Sequence, residues 1–79
     1  MTSNVRLLLE LIRSYVDAHH GHGADPRELI LLTYMSSRTL HRAMAELLSA
    51  GLILQQSPLR YTITDAGRQA LAVRAEAPA

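Results

Sequence analysis

The chain has no cysteine, no phenylalanine and no tryptophan. Without cysteine there can be no disulfide and no cysteine-ligated zinc, two usual ways of stabilising a small domain. Three tyrosines are then the whole aromatic inventory, so a core must be assembled from fourteen Leu with Ile, Val, Met and eleven Ala. That composition favours helices. Lysine is missing as well, and all eight basic residues are Arg. Long apolar runs are also absent: the longest are Leu29 to Leu32 and Ala70 to Val73, against the roughly 20 residues of a membrane span. The first residues lead into a segment charged at Arg6, Glu10, Arg13 and Asp17, unlike the continuous apolar region of a signal peptide. The expected location is the cytoplasm.

What is present amounts to 79 residues, read as one domain over 1–75 with a loose tail over 76–79. A chain this short buries only about 60% of the surface its unfolded form exposes, so association with a second subunit is the expected source of further stability. Ser, His and Asp all occur, but no nucleophile sits in a recognisable elbow and no Gly-rich phosphate loop exists. The chain is read as a non-enzyme with no cofactor. His19, His20 and His22 at a helix end have the residue type of a nickel or zinc site, with Asp17 or Asp25 near. His19 and His20 would point to different sides of a helix, however, and the preferred reading is a polar helix terminus with no metal.

Apolar residues at Val5, Leu8, Leu9, Ile12, Tyr15 and Val16 give a first helix over Ser3 to His20. Leu7 and Leu11 widen its apolar arc to roughly 200°. The helix is either wedged deep in its own domain or shared with a second subunit through Leu7, Leu11 and Tyr15, with Val73 of the last helix; the second is preferred. After the Gly21 and Gly23 break, Asp25-Pro26-Arg27-Glu28 reads as N-cap, first helical position and capping-box acid. The short helix that follows, Leu29 to Leu32, is nearly all apolar and is expected to be buried on most sides. Thr33-Tyr34-Met35 interrupts it, and Ser36 caps a third helix over Ser37 to Ala50, stopped by Gly51. Two helices joined by so short a turn form the helix-turn-helix pattern. Leu52 to Gln56 and Arg60 to Ile63 read as a small hairpin, and Thr64 caps a last helix from Asp65 to about Ala75 with Ala66, Ala70 and Leu71 inward. The fold class expected is mainly α with a small β-hairpin: helix, helix, turn, helix, hairpin wing, helix.

Thr39 to Ile53, with its Thr-apolar-x-Arg, then Leu, then Gly-Leu-Ile, resembles the recognition helix and first wing strand of MarR-like and PadR-like bacterial regulators. Tyr61-Thr62-Ile63-Thr64-Asp65-Ala66-Gly67-Arg68-Gln69-Ala70-Leu71 resembles their junction from second wing strand to following helix. The likeness spans roughly Asp25 to Leu71 and implies a winged helix-turn-helix that binds double-stranded DNA. By that resemblance Ser36, Ser37, Arg38, Thr39, His41 and Arg42 face DNA, with Arg60 beside the wing tip. In such proteins the helix enters the major groove, where Arg can pair with guanine while hydroxyls hold phosphates. The turn position often filled by Gly is Tyr34 here, and the wing from Gln55 to Arg60 is short and carries one Arg.

The charge is distributed in keeping with that reading. Ser36 to Arg68 holds four Arg and two acids, a local +2, whereas Met1 to Met35 holds three Arg and four acids, a local −1. A monomer with so few Arg would bind weakly, and a homodimer would present two recognition helices to successive grooves roughly 34 to 36 Å apart. The function expected is a bacterial, phage or plasmid transcriptional regulator acting as a homodimeric repressor. The alternative is a winged-helix module that presents the same surface to another protein without touching DNA.

Overall fold

In the computed structural model the described residues are 3–76, with side chains described through Ala72. Four helices and one hairpin follow one another: α1 Ser3–Ala18, α2 Pro26–Thr33, α3 Ser37–Ser49, β1 Ile53–Ser57, β2 Arg60–Ile63 and α4 Asp65–Glu76. The fold is therefore mainly helical with a two-stranded antiparallel sheet. Of the expected tail over 76–79, Glu76 belongs to α4. The remainder, 77–79, lies outside the described residues.

The core is aliphatic throughout. Leu8, Leu9, Ile12, Leu29, Leu40 and Leu47 are its largest fully buried side chains, drawn from α1, α2 and α3 at the 3-4 spacing each sequence shows. No buried polar or charged residue interrupts it among the described residues. Helix α1 is the central element and packs against α2, α3, α4 and β2. Its wide apolar arc is largely filled from within the chain. Leu11 and Tyr15 pack half-buried on the core, and of the arc only Leu7, 42% exposed, is left largely uncovered by the rest of the chain.

Local chemistry sets the helix ends. Asp25 caps α2 by accepting from the Arg27 amide at 2.9 Å, and Pro26 occupies the first turn without cost because its missing N–H would be unsatisfied there. The Glu28 side chain does not complete a capping box; it turns instead toward the Tyr15 hydroxyl. Ser36 caps α3 by accepting from the Thr39 amide at 3.1 Å. Gly51, at φ 74°, takes the left-handed turn that follows α3. Tyr34 does the corresponding work after α2 at φ 57° and ψ 17°, a conformation that strains any residue with a Cβ. Its amide donates back to the Ile30 carbonyl. The Thr33 hydroxyl donates to the Leu29 carbonyl and accepts from the Met35 amide, so this turn is fixed from both sides.

Two expectations about packing are corrected. The run Leu29 to Leu32 is not buried on most sides: Leu29 is fully buried and Ile30 partly, but Leu31 is 76% and Leu32 56% exposed. Two helical turns placed on the outside of α1 and α3 have only one inward stripe, and four consecutive residues cannot all share it. On α4 the inward positions are Gly67 and Leu71, whereas Ala66 is exposed. Gly67 is required because a Cβ there would overlap the Leu52 carbonyl oxygen and press on Ile63. Around it, the Thr64 hydroxyl donates to the Gly51 carbonyl at 2.7 Å and accepts from the Gly67 amide at 3.1 Å. One threonine thus fastens the start of α4 to the end of α3.

Candidate nucleic-acid interface

Helix α3 buries Leu40, Ala43, Met44 and Leu47, and the spacing of those four determines what remains outside. Ser37, Arg38, His41 and Arg42 are all exposed on the opposite side. Ser36 is exposed too, but its hydroxyl is engaged in the cap, donating to the Thr39 hydroxyl at 2.9 Å. Thr39 is half-buried. Of the seven residues expected at a DNA surface, the structure therefore gathers six on the first two turns of α3, with four of them free of cap bonds.

The arginines fall into two groups. Arg6 pairs with Glu10, Arg27 with Asp25 and Arg68 with Asp17, each at 2.8 Å. Arg13, half-buried on α1, adds its field to Asp17 without a bond to it. Arg38 and Arg42 likewise have no ion-pair or hydrogen-bond partner among the described residues, and unlike Arg13 both are exposed. They stand four residues apart on one helix face, so their guanidinium groups project side by side into water. Committed arginines stabilise the fold at the surface to a small degree, whereas this exposed pair retains all its donors for an external acceptor.

Arg60 is exposed beside the hairpin tip, but it is engaged within the fold. It opens β2, and its guanidinium reaches back to donate to the Gly23 carbonyl at 3.0 Å. It belongs to a junction that the sequence pattern does not reveal. The Ala24 amide donates to the Tyr61 carbonyl at 2.7 Å and the Tyr61 amide to the Ala24 carbonyl at 2.9 Å. A register shift between Gln55 and Ser57 sets Gln56 out of the ladder. The Gln56 side chain then accepts from the Gly23 amide and donates to the Gly21 carbonyl. Ala24 thereby pairs with the hairpin as a single-residue bridge, and a Cβ at Gly23 would collide with Gln56 and Tyr61. The Ala24 bridge leaves no periodic pattern in the sequence; the two glycines flanking His22 are its only local sign.

The described dimer residues expected from sequence differ in exposure. Leu7 is exposed, Leu11 and Tyr15 pack on the core, and the Val73 side chain lies outside the described residues. Glu28 beside the Tyr15 hydroxyl pushes its pKa up, burial adds to this, and Arg60 opposes it. His19 stacks on Tyr15 with ring centroids 3.9 Å apart. Among the described residues no three His, Asp or Glu side chains converge as a metal site would require. No helix among them is long and apolar enough to cross a membrane.

Two surface carboxylates hold arginines, Asp17 across to α4 and Asp25 within the cap of α2, and both have lowered pKa values. Asp17 is held down by its hydrogen bond to Arg68, and Asp25 by its hydrogen bonds to the Arg27 side chain and amide. A depressed folded value means that the unfolded state takes up the proton first. The stabilisation is therefore complete above the unfolded value, near pH 4, and is lost as pH falls through the folded one. Urea unfolding of the wild type is expected to show stability declining below about pH 4. Asp17→Asn should flatten part of that decline; an unchanged profile in the variant would contradict the assignment.

No protein-family model, curated protein or solved structure matches the chain.

Proposed function

We propose that the protein is a double-stranded DNA-binding transcriptional regulator, a repressor acting as a homodimer. In this reading the four helices and hairpin are a winged helix-turn-helix, α2 and α3 are its helix pair, and β1 and β2 its wing. The observation that carries it is the unpaired, exposed Arg38 and Arg42 on the first turns of α3, with Ser37 and His41 between and beside them. Such a helix fits the major groove, which is about 12 Å wide and admits one helix. Arg is the commonest side chain to read guanine there, through paired bonds to O6 and N7.

The wing has a lesser part. Its arginine is tied to Gly23, and its tip from Ser57 to Leu59 carries no charge. The Gln56 and Ala24 links instead make the hairpin a buttress with a fixed position relative to α1 and α2. Any contact of the wing with the sugar-phosphate backbone would come from Ser57, the exposed Gln55 or main-chain amides, which position the protein without reading sequence.

Fluorescence anisotropy with mixed-sequence and selected duplexes tests the proposal. Affinity is expected to fall with rising salt, log K declining linearly in log salt by about 0.9 for each phosphate contact. A wild-type protein that binds no duplex at low salt would refute it. Retention of a stable protein partner, abolished when Arg38 and Arg42 are replaced, would then favour the interaction-module alternative.

A further inference from the structure

The largest exposed apolar side chains among the described residues do not lie on the face of α3. Leu31, Leu32 and Tyr34, 76%, 56% and 94% exposed, follow one another along α2 and its C-terminal turn. Nothing in the fold uses the Tyr34 ring, although holding it at φ 57° costs about 1 to 2 kcal/mol relative to an unstrained conformation.

We infer that this end of α2, formed by Leu31, Leu32 and Tyr34, is the surface on which a second copy of the chain docks, an inference that rests on the homodimer proposed above. Area is the first argument for that occupant. The exposed parts of these side chains present several hundred Å², within the range of the largest patch on a monomer and about half of the ~800 Å² that each partner gives to a stable interface. Charge is the second. Arg27 and Glu28 precede Leu31 and Leu32 by one turn on the same rows, and the Arg27 Nη1 makes no bond among the described residues. A two-fold axis through the patch brings Arg27 of one copy toward Glu28 of the partner subunit and the reverse, as an isologous contact requires. A 79-residue chain without disulfides or large aromatics also gains most from burying such a surface. The interface differs from the one expected from sequence: it lies on α2 rather than on Leu7, Leu11 and Tyr15 of α1.

Sedimentation velocity of the full chain without DNA tests this apart from the DNA reading. The wild type is expected to sediment at twice its 8.7 kDa mass at micromolar concentration. Leu31→Glu plus Leu32→Glu should raise the dimer dissociation constant by at least ~100-fold while keeping the helical circular dichroism, since both side chains are exposed. Tyr34→Gly should weaken the dimer and leave the monomer fold intact. Leu54→Glu, an exposed leucine on β1, should leave the dimer unchanged. A monomeric wild type, or a double variant that dimerises as tightly as the wild type, would overturn the inference. Absence of DNA binding with dimerisation intact would count against the DNA reading alone.

Discussion

Replacing Arg38 and Arg42 together by Ala is expected to weaken binding to duplex DNA by about 100-fold or more, with the melting temperature unchanged. Each well-placed Arg pairing with a base is worth about 1 to 3 kcal/mol, so removing two takes about 2 to 6 kcal/mol from each protomer. Stability should not follow, because both side chains are exposed and neither has a partner among the described residues. The salt dependence divides the effect. If the arginines rest on phosphates, the slope of log K against log salt shrinks by about 0.9 for each phosphate no longer neutralised. If they read base edges, the slope changes little and preference between sequences relaxes. Arg68→Ala is the control, since that side chain is already held by Asp17 and belongs to α4.

The largest effect on folding is expected at Gly67. Gly67→Ala should cost about 2 kcal/mol or more, which for a domain of this size lowers the melting temperature by roughly 8 to 16 °C. A new Cβ would meet a backbone carbonyl, that of Leu52, together with the buried Ile63 side chain. A carbonyl cannot swing aside as a flexible side chain can, so either α4 or the β1 approach must shift, and overpacking against backbone costs about 3 kcal/mol or more, the upper end of the usual range. Alanine's better helix propensity returns about 1 kcal/mol of this. Gly51→Ala separates sterics from backbone strain. There the left-handed conformation is required but the added Cβ meets open space, and the expected loss is about 1 to 2 kcal/mol. If Gly67→Ala melts with the wild type, the close approach of α4 to Leu52 is wrong.

The elements are legible in the sequence where a single residue type has one physical use. Asp25 before Pro26, Ser36 before a mixed helix and Gly51 after it all act as their chemistry suggests, and the helices they bound fall within one or two residues of expectation. The hairpin is legible for the same reason, although β1 runs from Ile53 to Ser57 rather than starting at Leu52. What escapes the sequence depends on partners distant along the chain. Ala24 pairing with Tyr61, Gln56 reaching Gly21 and Gly23, and Arg60 reaching Gly23 join residues more than thirty positions apart, and no local periodicity encodes them. Exposure at Leu31 and Leu32 runs against expectation because hydrophobicity does not guarantee burial, a rule that runs one way only. At the candidate site the outward face of α3 follows from its apolar stripe. The division of arginines into committed and free ones does not, because Asp17 and Arg68 are brought together only by the packing of α4 on α1.

The central claim is that the outward face of α3 meets DNA. Amide chemical-shift mapping of the isotope-labelled protein, titrated with a short duplex at low salt, tests it most directly. The largest shifts are expected on Ser36 to Arg42, with smaller ones at the wing tip and little change in the second half of α1. Shifts concentrated on Leu31, Leu32 and Tyr34 with Arg38 and Arg42 unmoved, or no shifts at all, would contradict the claim.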